Sequence, residues 1–146
     1  MSEPSEEKRK RILIVDDEEA NIVALNIAYT RKGFDVVIAK SGLEALDIMK
    51  RPDKNFDVIL LDVAMPDIDG FKVLDEFRSY ESIKKLPSTP VAMMTGNPMI
   101  TAAEALEHGA DDYLTKPLEP EQMVQKVEDL IDRRDQTKSG LEKMVG

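Results

Sequence analysis

The chain has 146 residues and a mass of 16.4 kDa, a length for one domain with a sizeable core, and its apolar fraction of 42% is ordinary for a globular protein. Cysteine is absent and His108 is the single histidine, which excludes disulfides, thiolate-bound zinc, iron–sulfur clusters, a thiol nucleophile and a multi-histidine metal site. The net charge of −9, from 29 acidic and 20 basic residues, argues against direct binding to nucleic acid or an anionic membrane, and with no leader pattern and no apolar run of the ~18 residues a span needs, the expected location is cytoplasmic.

Residues 1–10 are polar and read as a disordered lead-in. Their basic run, Lys8-Arg9-Lys10-Arg11, reads as a solvated stretch rather than a nucleic-acid patch, given the acidity of the rest. The first apolar run is Ile12-Leu13-Ile14-Val15. A helix follows, with Ala20, Val23, Ala24, Ile27 and Ala28 at helical spacing as its predicted core stripe and Gly33 as its stop. The second run is Val36-Val37-Ile38-Ala39. Ser41-Gly42-Leu43-Glu44 then has the form of a capping box before Leu46 and Met49.

Val58-Ile59-Leu60-Leu61 is the third run, and Phe71, Leu74 and Phe77 line one face of a helix after Gly70. The fourth run, Val91-Ala92-Met93-Met94, is the weaker strand by propensity. Asn97 and Pro98 suit the cap and first residue of a helix carrying Ala103 and Leu106, with Gly109 as its stop. Tyr113-Leu114-Thr115 is a short fifth strand. Pro120 opens a last helix with the stripe Met123, Val127, Leu130 and Ile131.

The first three runs do not alternate with polar residues, which predicts strands buried on both faces. Strand and helix alternate five times, so the fold class is α/β: a doubly wound, five-stranded parallel sheet with helices on both faces.

In such a sheet ligands bind beyond the carboxyl ends of the strands. Asp16-Asp17-Glu18-Glu19 follows the first run, Asp62 the third, Thr95-Gly96 the fourth and Lys116 the fifth. Two unit charges about 4 Å apart cost roughly 4 kcal/mol at an effective dielectric of 20. Carboxylates gathered at one edge therefore call for a cation or raised pKa values. Oxygen-only ligation suits Mg²⁺. Asp16 and Asp17 also serve as first-turn acids of a helix, a role that does not account for Asp62 and Lys116. A phosphoryl group would employ both Lys116 and Thr95, with an aspartate as the nucleophile toward phosphorus.

The acidic pair in ILIVDDEE, Asp62 in VILLDVAMPDIDG, Thr95 in MMTG and Lys116 in DDYLTKP together resemble the receiver domain of two-component response regulators, over about residues 11–134. The resemblance implies a flavodoxin-like (β/α)5 fold with strand order 2-1-3-4-5. It implies Asp62 as phospho-acceptor, receiving the group from a sensor histidine kinase or phosphotransfer protein. It implies Mg²⁺ held by Asp17 and Asp62 directly, by Asp16 through water and by the backbone carbonyl of Ala64. Thr95 and Lys116 would engage the phosphoryl group, Tyr113 would be the switch aromatic, and the Lys116-Pro117 bond would be cis. The implied function is a phosphorylation switch, with autophosphatase activity at most rather than a metabolic reaction. It would act on a downstream effector or output domain, or pair with a second copy of the chain.

Three rival readings are weaker. A haloacid-dehalogenase-like phosphatase needs an acid two residues after the nucleophile, where Ala64 stands. A flavodoxin-like cofactor binder would have its phosphate repelled by the acidic first loop. A phosphorylation-independent scaffold leaves the full set of Asp16, Asp17, Asp62, Thr95 and Lys116 without a task.

Other features carry plainer readings beside functional ones. Met65 to Gly70 is either a partner-recognition loop or the turn into a helix. Tyr113 also serves as filler for the last strand's edge. His108 reads as a helix-end residue gaining from the dipole. Val124, Val127, Ile131, Arg134, Lys138, Leu141 and Val145 keep a 3–4 spacing, but Ser139-Gly140 predicts a break, so residues 135–146 are expected to be a frayed tail or the start of a linker.

Overall fold

The computed structural model describes residues 9–53, 55–117 and 119–145, with side chains as far as residue 136. The predicted lead-in therefore lies outside the described residues up to Lys8. The elements are β1 (Arg11–Val15), α1 (Glu19–Arg31), β2 (Asp35–Ala39), α2 (Gly42–Met49), β3 (Val58–Asp62), α3 (Gly70–Lys84), β4 (Val91–Thr95), α4 (Ala102–Glu107), β5 (Asp112–Thr115) and α5 (Pro120–Val145). All neighbouring strands pair in parallel, in the order β2-β1-β3-β4-β5.

Alternation along the central strands sorts side chains into two cores. Leu13, Val15, Ile59, Leu61 and Met93 face α2, α3 and α4, where they meet Leu46, Val73, Leu74 and Phe77. Ile12, Ile14, Leu60, Ala92 and Met94 face α1 and α5, where they meet Leu25, Tyr29, Val127 and Ile131. Both faces are covered, which is why β1, β3 and β4 read as continuous apolar runs.

β2 departs from that expectation. It is an edge strand, and Val36, Val37 and Ile38 are only half-buried. β4 departs the other way: it lies between β3 and β5, and all five residues are buried despite its weak propensity. Position in the sheet overrides propensity.

The stripe predicted for α1 is the wrong one. Ile22, Leu25 and Tyr29 are buried, whereas Val23 is 50% and Ile27 46% exposed, with Ala20 and Ala24 also exposed. The helix carries apolar residues on two faces, and the larger side chains won the core. Tyr29 packs edge-on against Phe34, with centroids 5.3 Å apart. Gly33, at φ +89°, lets the chain turn there: its amide donates to Thr30 O and the next amide, of Phe34, donates to Tyr29 O, closing a Schellman motif.

α4 starts later than predicted. Thr101 caps it by accepting the Glu104 amide at 3.1 Å. Asn97 instead folds an Asx turn, its Oδ1 accepting the Met99 amide at 2.9 Å. Gly109 ends the helix at φ +97°. On α3, Leu74 and Phe77 enter the core, but Phe71 stays half-buried and stacks on His108 at 4.5 Å. His108 is the C-cap of α4, and its Nδ1 lies 2.7 Å from Asp75.

The helical backbone of α5 runs to Val145, through Ser139 and Gly140. The predicted break does not occur. One interior glycine costs a helix only about 1 kcal/mol, too little to end it. The side chains that would form the spaced seam beyond residue 136 lie outside the described ones.

Candidate functional site

β1 is followed in sequence by β2 on one side and in space by β3 on the other, so a crevice opens at their carboxyl ends. Asp16 sits at the end of β1 and Asp62 closes β3, 0% and 4% exposed. Asp17 is exposed beside them, and one carboxylate oxygen from each of the three lies within 4.8 Å of the others. Lys116, just after β5, reaches into the same crevice. Its Nζ is 3.0 Å from Asp62 Oδ2 and 3.2 Å from Asp16 Oδ2. The Lys116-Pro117 bond is cis.

Local structure holds each carboxylate. Asp16 accepts the Glu18 amide at 2.9 Å at the start of α1, and Asn21 Nδ2 lies 3.4 Å from its other oxygen. It thus acts as a turn-forming acid and a site carboxylate at once. Asp62 accepts the Ala64 amide at 3.3 Å. Thr95, 1% exposed, ends β4, and its hydroxyl accepts the Asn97 amide at 3.0 Å. Tyr113 is half-buried, and its hydroxyl donates to Ile100 O at 2.6 Å, so its ring belongs to the β4–α4 loop rather than to the carboxylate crevice.

Burial is the main cause that raises the Asp62 pKa, to about 6 from 3.8; the Lys116 hydrogen bond and charge oppose it, and Asp16 adds to it. Burial alone would pull the Lys116 ammonium down, but its bonds to Asp62 and Asp16 outweigh this and raise it. One cation thus serves two buried carboxylates, with a third beside them. This is a donor set of hard oxygens with surplus negative charge, which fits Mg²⁺.

A cavity of about 410 Å³ adjoins the crevice, with Asp16, Asn21 and Lys116 at its polar side and Leu25, Met94 and Met123 at its apolar side. A larger groove of about 1160 Å³ lies at the opposite edge of the sheet, around Phe56, Tyr80 and Pro87. The clustered carboxylates and Lys116 lie beside the smaller cavity, not at the larger groove.

The response regulator receiver domain family matches residues 12–128. This chain belongs to that family. Regulatory protein AtoC of Escherichia coli (strain K12) is 41% identical over 114 residues, which are 77% of this chain and 23% of that protein. The alkaline phosphatase synthesis transcriptional regulatory protein PhoP of Bacillus subtilis is 36% identical over 125 residues, 85% of this chain and 49% of that protein. The chain thus spans half or less of these relatives. The receiver domain (CheY-like) crystal structure from Methanospirillum hungatei JF-1 superposes with a TM-score of 0.78 at 27% identity, covering 89% of this chain and 99% of that one.

A receiver domain is a phospho-accepting signalling switch of two-component systems, not a metabolic enzyme, and this one is an instance by sequence and by fold. A phosphorylation-independent scaffold is not favoured. No described helix is long and apolar enough to cross a membrane.

The receiver's sequence also hid contributors to the site. Asn21 is a contributor that no motif marks: its Nδ2 lies 3.2 Å from Glu18 and 3.4 Å from Asp16, the latter five residues back and outside the helix. Asp67, in the β3–α3 loop, bonds α2 rather than its own helix. No local pattern signals such a contact across 25 residues.

The raised Asp62 pKa makes stability depend on pH with a definite sign. The folded form holds its proton more tightly than the unfolded one, so the stabilisation is full below pH 3.8 and is lost as pH rises through about 6. Without metal, the loss by pH 7 should be at most about 3 kcal/mol. Urea melts in chelator at pH 4 to 7 should show this slope in wild type and its removal in Asp62→Asn. Equal slopes in both proteins would refute the assignment.

Proposed function

We propose that Asp62 is the residue phosphorylated in this receiver domain, by a sensor histidine kinase or a phosphotransfer protein. The observation that carries the reading is Lys116 Nζ lying between Asp62 and Asp16 at the open end of the sheet. An Asp62 oxygen would attack phosphorus of a phosphohistidine. The P–N bond would break, its electrons passing to the imidazole, and an acyl phosphate would form. Asp17 and Asp62, with Asp16 through water and the Ala64 carbonyl, would hold Mg²⁺, whose charge would offset that of the phosphoryl oxygens. Lys116 would keep one carboxylate partner and turn its other bond to the phosphoryl group.

Thr95 would carry the signal outward. Its hydroxyl now accepts the Asn97 amide. Turning to a phosphoryl oxygen gives that bond up and frees the loop from Asn97 to Ile100, whose carbonyl holds Tyr113. The α4-β5-α5 surface would then change, for a downstream effector, an attached output domain or a second copy of the chain. A phosphoryl group shifts this equilibrium only by its differential interaction with the two states.

The exposed Val23 and Ile27 of α1, on the helix that carries Asn21, support an apolar contact with the donor protein beside the crevice. Hydrolysis of the acyl phosphate by the chain itself would be its one turnover, and Ala64 supplies no side chain to orient the water. Residues 11–134 would be the receiver and residues 135–146 a C-terminal tail or the start of a linker. A cytoplasmic location would follow from the match to receiver domains.

With acetyl phosphate and Mg²⁺ the protein should gain one base-labile phosphoryl group, and chelation should suppress it. An unmodified wild-type mass would refute the reading. For the switch, Thr95→Ala should still be modified at Asp62. A beryllofluoride mimic should, however, lose most of its effect on the amide shifts of residues 97–115. Wild-type shift changes in that variant would show that Thr95 is not the coupling element.

A further inference from the structure

We infer that Asp67 is a positioning residue for the metal site, fixing the β3–α3 loop and with it the Ala64 carbonyl by bonding the start of α2; this rests on the metal reading above. The loop leaves the sheet after Asp62 and ends at Gly70. Its base is pinned: the Val63 amide donates to Met94 O at 2.9 Å, and the Gly70 amide donates to Val63 O at 2.7 Å. Between these points the chain bulges outward, with Ala64, Pro66 and Asp67 exposed. Among the described residues, its hydrogen-bonded tie to a neighbouring helix is the Asp67 carboxylate. Oδ1 accepts the Gly42 amide at 3.0 Å and Oδ2 accepts the Leu43 amide at 2.8 Å.

These are the first two amides of α2, which no helical carbonyl can satisfy. α2 already has a cap of its own, since Ser41 Oγ accepts the Glu44 amide at 3.1 Å. A second capping group from a distant loop therefore joins two elements rather than merely starting a helix. Ile68 closes the same contact: a Cβ on Gly42 would lie 2.5 Å from its Cγ1. The Leu43 and Gly42 amides also lower the Asp67 pKa, which favours the ionised form that makes the tie.

Ala64 is three residues before Asp67. A carbonyl on an untethered loop must be ordered when the cation binds, and that ordering weakens affinity. Groups outside the ligand set that orient ligands change metal affinity about 10–100-fold when removed.

The test is a Mg²⁺ titration of the full chain, read from amide shifts of residues 62–66, for wild type, Asp67→Ala, Asp67→Asn and Ser41→Ala. Asp67 is exposed, so its variants should fold, and melting curves check this. Asp67→Ala should bind Mg²⁺ about tenfold more weakly. Asp67→Asn, whose single amide oxygen can accept only one of the two backbone N–H groups, should recover only part of the loss. Ser41→Ala weakens the same helix start without freeing the loop and should bind as wild type. In the metal-free protein, amides 64–68 should exchange faster in Asp67→Ala alone. Wild-type affinity in Asp67→Ala, or an equal loss in Ser41→Ala, overturns the inference and leaves the metal reading intact. A wild-type protein without saturable shifts overturns both.

Discussion

Asp62→Asn is expected to take up no phosphoryl group from acetyl phosphate and Mg²⁺, and to be more stable than wild type at pH 7 in chelator by about 1–2 kcal/mol. The two effects have one cause. The Asp62 carboxylate is buried beside Asp16, and burial is what raises its pKa to about 6. At neutral pH its ionised form is therefore held at a cost, and this makes it available to a cation and to phosphorus. An amide in its place has the same shape, still accepts from Lys116 or the Ala64 amide, and carries no charge to desolvate. It also has no oxygen nucleophile able to form an acyl phosphate. The measurements are intact mass after incubation and urea melts. The same adduct on Asp62→Asn would move the acceptor elsewhere. A variant less stable than wild type would mean that the Lys116 ion pair outweighs burial.

Gly70→Ala should destabilise the fold by about 2–4 kcal/mol, against the sign that helix propensity gives. As the first residue of α3, Gly70 would be expected to gain about 0.5–1 kcal/mol on replacement by alanine. The space forbids it. A Cβ there would lie 2.2 Å from Asp62 O, 2.9 Å from Val63 Cα and 3.0 Å from Asp62 C. All three are backbone atoms of Asp62 and the residue after it, at the end of β3, so no side chain can swing away. Either α3 lifts off the sheet or Asp62 shifts, and phosphorylation from acetyl phosphate should fall with stability. Gly96→Ala is the contrast: its Cβ would meet Lys116 Cβ at 3.8 Å, an ordinary contact, and its melting point should move little. A wild-type melting point for Gly70→Ala would show that α3 yields without cost.

Much of this was legible in the chain itself. Four apolar runs and one short one gave five strands, and those of β1, β3 and β4 are apolar because both their faces are buried. The residues after those runs gave Asp16, Asp17, Asp62, Thr95 and Lys116, because in a parallel sheet the carboxyl ends share one edge. Local signals worked where the cause was local. Ser41 caps α2 through the Glu44 amide, and Gly33 and Gly109 end their helices at positive φ.

The sequence by itself thus determined the class of fold, the family and the edge at which Asp16, Asp17, Asp62 and Lys116 gather. Tertiary structure alone decided which of two apolar faces of α1 is buried, since either satisfies helical periodicity and only packing against β1 and α5 separates them. It decided that β2 is the half-exposed edge and β4 a core strand, because neighbours rather than residues set burial. It decided that Asn97 turns while Thr101 caps, since both are good caps in isolation. The carboxylate of Asp67 lies 24 and 25 residues from the amides it accepts. A contact over that separation exists only once the sheet has brought the β3–α3 loop beside α2, and no local pattern encodes it.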